Sequence, residues 1–283
     1  MIEVRDRSHT LNSRDFKFIC DYVYDAAGIV LGEAKREMVY RRLTRVVRER
    51  KLETFAEYCQ ILRSNPEGEK TYFINAITTN LTSFYREKHH FDYLLSKEFP
   101  TLLQKNKDSK RLRFWSSASS TGEEPYSLAI TAHQAFKHVL SVWDVKILAT
   151  DIDSNVLAHA KAGIYDSQRI EDVPQHLQKA YFQKGAGANQ NKVKVNDTAK
   201  SLITFKELNL LHDWPMNGPF DVIFCRNVII YFDKPTQQDL FERYYEMLAP
   251  GGLLMLGHSE NLGQFQQYFE NVGRTIFRKP FDT

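Results

Sequence analysis

Apolar residues recur at helical spacing through the first part of the chain. From Ser13 to Gly28 they occupy every third or fourth position, with Ser13 as the expected cap and Gly28 as the expected stop. The same spacing predicts three further helices, over residues 32–51, 54–63 and 68–81. Together these four helices predict a small all-α domain over residues 1–77.

After residue 110, short apolar runs alternate with helical patterns. The predicted strands cover residues 111–118, 144–150, 220–226, 252–258 and roughly 274–278, and the main helices between them cover 124–140, 154–162 and 234–248. This alternation is typical of an open, mainly parallel sheet that binds ligands at the carboxyl ends of its strands. We therefore predict an α/β domain over residues 78–283.

The alternation breaks at about residues 165–205. This insert contains a glycine-rich loop at 185–189 and two β-like pieces, at 192–195 and 202–206, so we predict a small β-subdomain attached to the sheet. Two interpretations stay open. The insert is either a flexible hairpin or an exposed edge that pairs with an extended segment of a partner.

The stretch from Arg111 to Tyr126 passes from apolar residues through small ones to acids. Residues 116–120 carry little side chain, and the next helix begins with unpaired N–H groups, so a ligand could approach the backbone. The dinucleotide pattern G-x-G-x-x-G is absent, and Glu123 and Glu124 would repel a phosphate. The stretch is either a cofactor-binding loop or an ordinary turn whose acids stabilise a helix.

Asp151 ends the second predicted strand, after the apolar residues Val145, Ile147 and Leu148. An acid at this point can accept hydrogen bonds from both hydroxyls of a ribose, which suits an adenosine-containing cofactor. The alternative is that Asp151 or Asp153 caps the following helix.

Composition and charge narrow the possible partners. The net charge is only +3, but basic residues concentrate at 35–51. There Arg41, Arg45 and Arg48 form a ridge that is either solvated or docks an acidic surface.

The three cysteines lie far apart in the sequence, which predicts neither disulfides nor a metal site and fits the cytoplasm. No apolar run reaches the roughly 18 residues of a membrane span, so we expect no direct membrane insertion.

Five stretches, in this order, resemble the CheR family of chemotaxis receptor glutamate methyltransferases, which are class I S-adenosylmethionine-dependent methyltransferases. They are residues 76–87, 115–127, 149–153, 224–232 and 257–261, and the resemblance spans roughly residues 13–280. It implies a Rossmann-like methyltransferase sheet and transfer of the methyl group of S-adenosylmethionine to glutamate side chains on the cytoplasmic helices of chemoreceptors. A glutamate, with a pKa of about 4.3, is already ionised at neutral pH, so this chemistry needs no general base.

The resemblance also implies roles for individual residues. It places Arg86 and Tyr231 beside the reacting methyl group, although Arg86 could instead form an interdomain salt bridge and Tyr231 a packing contact. For a catalytic Arg86 we favour orienting the substrate glutamate over gripping the cofactor's carboxylate, because a tight clamp on the substrate would lower its nucleophilicity. The implied cofactor-binding residues are Asn80, Thr82, Arg86, Glu124, Asp151, Asn209, Leu210, Arg226 and Asn227.

The basic helix at 32–51 resembles the element that docks the acidic receptor helices, and the insert resembles the β-subdomain that captures a receptor's C-terminal peptide in some members. We expect a cytoplasmic monomer.

Two other functions are alternatives to glutamate methylation. A nucleic-acid methyltransferase would explain the basic helix, but Asn-Pro-Pro-Tyr is absent where Arg226, Asn227 and Val228 stand, and aromatic residues do not alternate with basic ones. A binding module without turnover is disfavoured by the presence of Arg86 and Tyr231.

Overall fold

The computed structural model describes residues 10–281, and its contacts divide the chain into two compact units. The first unit extends through Thr79 and includes Tyr231–Thr236, and the second comprises Asn80–Ile230 and Gln237–Thr283. Among the described residues, no helix is long and apolar enough to cross a membrane. No group of three or more His, Cys, Asp or Glu in residues 10–281 is arranged to hold a metal ion.

The first unit is helical, as predicted. Its helices are α1 (Ser13–Ala27), α2 (Arg36–Glu49), α3 (Phe55–Ser64) and α4 (Pro66–Ile77), with a 3-10 turn at Glu33–Lys35 ahead of α2. The cap of α1 is Asn12 rather than Ser13, because the Asn12 side chain accepts the N–H of Asp15. Gly28 ends this helix in the left-handed conformation with φ of 66°. Fully buried side chains, including Ile19, Leu43 and Phe73, form its core.

Seven strands of the second unit form one mixed sheet in the order β6-β2-β1-β7-β8-β10-β9. These strands are β1 (Arg111–Ser116), β2 (Asp144–Asp151), β6 (Ile203–Glu207), β7 (Phe220–Cys225), β8 (Leu248–Leu256), β9 (Glu270–Gly273) and β10 (Ile276–Arg278). The first five strands in this order are parallel, and β10 and β9 are antiparallel to their neighbours. The strand order reverses between β1 and β7, which makes the carboxyl ends of these strands the expected ligand position.

The helices of the second unit follow the predicted alternation. They are α5 (His89–Tyr93), α6 (Phe99–Lys105), α7 (Glu123–Phe136), α8 (Ser154–Ala162), α9 (Gln175–Tyr181), α10 (Asp197–Lys200) and α11 (Lys234–Met247), whose first residues belong to the first unit. A π-helical segment, Leu94–Glu98, joins α5 to α6. Short 3-10 turns lie at Ser167–Ile170, Gly187–Asn189, Ile229–Tyr231 and Gly263–Tyr268.

A separate small sheet has the order β3-β5-β4, with β3 at Ile164–Asp166, β4 at Phe182–Lys184 and β5 at Lys192–Val195. The assignment of residues 202–206 to this subdomain was wrong, because they form most of β6 and pair in parallel with β2 in the large sheet. The two ends of the segment that forms the small sheet lie close together, because the Val195 N–H donates to the Gly163 carbonyl at 2.9 Å. Phe84 packs edge-on against Tyr165 and Phe182, with ring centroids 5.1 and 5.2 Å away.

Candidate functional site

The loop that follows β1 is tied by its backbone to both neighbouring strands. The Ser117 N–H donates to the Phe224 carbonyl of β7 at 2.9 Å, and the Ser119 N–H donates to the Thr150 carbonyl of β2 at 2.8 Å. Gly122 closes the loop with φ of +99°, and a β-carbon there would lie 2.8 Å from the β-carbon of Ala160. Only glycine allows this turn, which sets the start of α7 against the strand ends.

Asp151 lies at the carboxyl end of β2 and faces this loop. Its Oδ2 accepts the Ser120 N–H at 2.7 Å, and its Oδ1 accepts the Asp153 N–H at 3.0 Å. Burial raises the pKa of Asp151 to about 6, although these backbone donors oppose the rise. The cap of α8 is Asp153, which accepts the Asn155 N–H at 2.9 Å. Asp151 therefore keeps lone pairs that can accept hydrogen bonds from a ligand.

The segment of residues 80–87 is held against the same loop. The Asn80 side chain donates to Asp153 Oδ2 at 2.8 Å, and its carbonyl accepts the Ser120 hydroxyl at 2.9 Å. Two residues on, the Thr82 carbonyl accepts Arg169 Nη2 at 2.8 Å, and Arg169 also pairs with the buried Glu123. Residues 80–82 thus lie beside Asp151 although about 70 positions separate them in the chain.

Arg226 follows β7 and holds two carboxylates in a buried position. Its Nη1 lies 3.2 Å from Glu124 Oε2, and its Nε donates to Glu87 Oε2 at 3.3 Å. Glu124 also accepts the Ser116 hydroxyl at 2.7 Å. Burial raises the pKa of Glu124, and the nearby Arg226 guanidinium opposes this rise. Since only 1% of the Arg226 side chain is exposed, this charge is screened little by solvent.

Arg86 is half-buried, and its backbone is strained on both sides. The flanking residues Tyr85 and Glu87 have φ of 53° and 54°, a region that side chains other than glycine rarely adopt. The Arg86 carbonyl accepts a short hydrogen bond from Arg226 Nη2, and the Arg86 guanidinium donates to the Leu81 carbonyl at 2.8 Å. Strain of this kind is typical of functional segments.

The turn after β7 depends on a second buried acid. Asn227 has φ of 57°, and its N–H donates to Glu260 Oε2 at 2.8 Å. Glu260 also accepts the N–H groups of Gly257, at 2.6 Å, and Ile229, at 2.9 Å. This carboxylate joins the ends of β7 and β8 and fixes the exit of the chain at Asn227.

Asn209 and Leu210 follow β6 on the far side of Asp151. The Leu208 N–H donates to the Asp151 carbonyl at 2.9 Å, which joins the ends of β6 and β2. The Asn209 side chain accepts the Leu211 N–H at 3.0 Å, and the carbonyl of the buried Leu210 accepts Arg243 Nη1 at 2.7 Å. This turn is therefore fixed at the same edge of the sheet.

The structure brings most of the predicted site residues to one edge of the large sheet. They are Asn80, Thr82, Arg86, Glu124, Asp151, Asn209, Leu210, Arg226 and Asn227. Tyr231 belongs to the first unit, where its carbonyl accepts the Val30 N–H at 2.8 Å.

The predicted ridge on α2 is exposed. Arg41 Nε donates to Glu37 Oε1 at 2.9 Å, and Arg45 Nε donates to Glu49 Oε1 at 2.7 Å. Arg48 is exposed on the same helix. Exposed pairs of this kind are screened by solvent and contribute little to stability, so the arginines can exchange these partners for others.

Sequence reasoning gave no role to Glu87, Glu260 or Ser116. All three lie within stretches that carried the family resemblance, but the partners of the two acids, Arg226 for Glu87 and Asn227 for Glu260, are distant in sequence. An acid directly next to a predicted site residue, as Glu87 is to Arg86, was the one available signal.

The donors and acceptors at this edge define the chemistry that fits there. Three carboxylates, of Glu87, Glu124 and Asp151, and two guanidinium groups, of Arg86 and Arg226, lie at this edge of the sheet. Among these five groups, one negative charge is in excess when all are ionised. A phosphate is disfavoured in such a field, whereas a ligand with a cationic end and ribose hydroxyls is favoured.

Comparison with known proteins agrees with this chemistry. Residues 14–78 match the all-alpha domain of CheR methyltransferases, and residues 80–278 match the SAM binding domain of CheR methyltransferases. The chain belongs to the CheR methyltransferase family. The predicted family, fold class and cofactor are thereby confirmed: this CheR chain is an S-adenosylmethionine-dependent methyltransferase.

Relatives in three bacteria match this CheR chain over most of its length. Chemotaxis protein methyltransferase 2 of Pseudomonas aeruginosa is 46% identical, covering 93% of this chain and 92% of its own. A probable chemotaxis protein methyltransferase of Rhizobium etli is 44% identical, covering 90% and 96%, respectively. The chemotaxis protein methyltransferase of Escherichia coli is 42% identical, covering 94% and 91%.

Proposed function

We propose that this protein methylates glutamate side chains on the cytoplasmic helices of chemoreceptors, forming glutamate methyl esters for sensory adaptation. The names of the relatives, which are chemotaxis protein methyltransferases, support the receptor as the substrate. The arrangement of Arg86 supports a carboxylate substrate. Its guanidinium donates one hydrogen bond, to Leu81, among the described residues, so other donors can orient an incoming glutamate.

The acidic edge of the sheet fits S-adenosylmethionine. We assign Asp151 to the ribose hydroxyls, because its oxygens are fixed by two backbone N–H groups and retain lone pairs. Glu124 receives the cationic amino-acid end, since it is a buried carboxylate whose charge a nearby cation would stabilise. We assign the walls of the cofactor-binding cavity to Asn80, Thr82, Asn209, Leu210, Arg226 and Asn227.

The chain's own residues act mainly by positioning. When bound, S-adenosylmethionine supplies an electrophilic methyl group on its sulfonium. A substrate glutamate is ionised at neutral pH, so no side chain has to remove a proton. Arg86 orients the carboxylate, and Tyr231 keeps the role beside the methyl group that the resemblance implies. Alignment of the reacting atoms and exclusion of water then account for the rate.

We further propose that residues 1–77 form a receptor-docking domain and residues 78–283 the transfer domain, with a β-subdomain insert at about 165–205. In the first, Arg41, Arg45 and Arg48 contact the acidic receptor helices. The small sheet captures a receptor's C-terminal peptide and thereby raises the local concentration of substrate. Because the substrate lies on the cytoplasmic side, we place the protein in the cytoplasm, as a monomer that binds no nucleic acid.

The decisive experiment uses methyl-labelled S-adenosylmethionine and a chemoreceptor cytoplasmic fragment. Mild alkali releases carboxyl methyl esters as volatile methanol, whereas methylated amines and bases keep the label. We expect volatile label, and label that stays on the protein would refute the glutamate assignment. Arg86→Ala should lower kcat by at least about 100-fold. The control Arg111→Ala, an exposed arginine at the opposite end of β1, should leave kcat unchanged.

Docking is tested by reversing the charge of the ridge. Replacing Arg41, Arg45 and Arg48 with glutamate should raise KM for the receptor fragment at least about tenfold, while cofactor affinity stays constant. Lys17→Glu reverses an exposed charge on α1 and serves as the control. Equal KM values for the triple variant and the control would rule out docking by this ridge.

A further inference from the structure

Glu87 sits beside Arg86 and was not among the predicted site residues. We propose that Glu87 is a positioning residue, which acts through Arg226 on both sides of the site. On one side Arg226 reaches the cofactor-binding carboxylate Glu124, and on the other it reaches the backbone of Arg86. The turnover part of this inference rests on the proposed role of Arg86, and the cofactor-binding part rests on the proposed role of Glu124.

Both carboxylate oxygens of Glu87 are engaged. Oε2 accepts Arg226 Nε at 3.3 Å and lies 3.3 Å from Nη2. Oε1 accepts the backbone N–H of His258 at 3.1 Å and lies 2.9 Å from His258 Nδ1. The Glu87 side chain is only 9% exposed. It therefore connects the turn after β8 to the guanidinium of Arg226 and leaves that guanidinium little freedom to rotate.

The remaining donors of Arg226 act on the two sides of the site. Its Nη1 lies 3.2 Å from Glu124 Oε2, and its Nη2 donates a short hydrogen bond to the Arg86 carbonyl. A guanidinium is planar and rigid, so fixing one edge fixes the direction of all its donors. Without Glu87, Arg226 is free to turn fully toward Glu124 and to release the carbonyl that holds Arg86.

The electrostatics of the cluster agree with this role. Burial alone would raise the pKa of Glu87, but the Arg226 guanidinium and the hydrogen bonds from His258 outweigh it and hold the pKa at about 2. His90 also faces this carboxylate, with its Nδ1 3.8 Å from Oε2. Glu87 thus stays ionised over the working range. The groups facing Glu124 are Arg226, the Ser116 hydroxyl, Glu87 and Arg86, and the Glu87 charge raises the pKa of Glu124.

Glu87→Gln preserves size but removes the charge and one of the two acceptors. With its single oxygen toward Arg226, the amide nitrogen faces the His258 N–H, so the solvent-exposed hydrogen bond from that N–H is lost. We expect the affinity for S-adenosylhomocysteine at pH 8, measured by titration calorimetry, to fall about tenfold, and kcat to fall at least as far. In a plot of cofactor affinity against pH, the acid limb is the range in which affinity falls as Glu124 becomes protonated. We also expect this limb to move to lower pH, because Glu124 loses a like-charged neighbour.

Two further variants separate positioning from a general loss of stability. Glu98→Gln removes another buried acid of the same unit, one paired with Arg278 at 2.5 Å, and should leave both the binding curve and kcat unchanged. Glu87→Asp keeps the negative charge but places the carboxylate farther from Arg226, because the side chain is one methylene shorter. We therefore expect kcat to fall while the acid limb stays where it is in the parent protein. This variant also serves if Glu87→Gln does not fold.

The outcomes are distinct. A Glu87→Gln protein whose pH curve and kcat match those of Glu98→Gln would overturn the proposal. So would a Glu87→Asp protein with the kcat of the parent protein. Absence of glutamate methylation in the parent protein would instead refute the proposed function, and the calorimetric curves, which need no receptor, would still test the link from Glu87 to the cofactor.

Discussion

Asp151→Asn should weaken cofactor binding without weakening the fold at neutral pH. Asp151 is 7% exposed, and burial raises its pKa to about 6 from an ordinary 3.8. The two pKa values differ by about two units, and each unit corresponds to 1.36 kcal/mol. The ionised carboxylate is therefore less favourable by about 3 kcal/mol in the empty folded protein than in the unfolded chain.

The sign of the pH dependence follows from the raised pKa. The folded protein binds the Asp151 proton more tightly than the unfolded chain does, so this contribution to stability is full below about pH 4 and is lost as pH rises through about 6. Asparagine removes that penalty of about 3 kcal/mol but loses one backbone hydrogen bond, worth about 1–3 kcal/mol when its donor stays buried. Above pH 6 the empty variant should therefore melt no lower than the parent protein, whereas at pH 4 it should melt lower.

Unlike the stability of the empty protein above pH 6, the affinity of Asp151→Asn for the cofactor should fall. A hydrogen bond to a charged acceptor contributes about 1.5–3 kcal/mol, so losing one weakens binding roughly 10- to 150-fold. Titration calorimetry with S-adenosylhomocysteine at pH 7.5 measures this loss, and thermal melts of the empty protein measure stability. The control is Asp144→Asn, at the other end of β2, which should leave affinity unchanged. A lower melting temperature at pH 7.5 together with parental affinity for Asp151→Asn would refute this reasoning.

Three other substitutions test the frame of the site by thermal or urea unfolding. Gly122→Ala should destabilise by about 1–3 kcal/mol, because φ is +99° and the new methyl group would lie 2.9 Å from the Tyr165 hydroxyl; a neutral effect would contradict this. Phe84→Ala should lose about 3–5 kcal/mol with its packing on Tyr165 and Phe182, and a loss below about 1 kcal/mol would disagree. Glu260→Gln removes an acceptor from a set of three backbone N–H groups and should lower Tm by roughly 5–10 °C, whereas an unchanged Tm would argue against that role.

Local signals predicted much of the fold. Gly28 ends α1 as predicted, and the acid that caps α8 was one of the two considered, because caps depend on residues only a few positions away. The mainly parallel sheet and the position of Asp151 at a strand end followed from the alternation of strands and helices, whereas the order of the strands did not. The interpretation of residues 202–206 was wrong because a half-buried edge strand carries no signal of which sheet it joins.

The charged interior of the site was harder to predict. The pair of Glu87 and Arg226 spans 139 positions, and the contact of Glu260 with Asn227 depends on a left-handed backbone at a residue other than glycine. Neither a long-range ion pair nor such a conformation has a periodic pattern in the sequence. The family resemblance implied which residues contact ligands, but not the acids Glu87 and Glu260 that hold Arg226 and Asn227 in place.

Because a hydrogen bond joins Gly163 and Val195, the segment that forms the small sheet can be exchanged as one piece. Because residues 164–195 leave and rejoin the second unit at one point, the corresponding segment of a relative can replace them with both joints kept at their present separation. The graft has to retain the aromatic residues at positions 165 and 182, since Phe84 packs on both. It also has to retain Arg169, which donates to the Thr82 carbonyl and pairs with the buried Glu123. If the small sheet binds a receptor peptide as proposed, chimaeras built in this way would transfer its peptide preference from one methyltransferase to another while the residues around Asp151 and Arg86 stay the same.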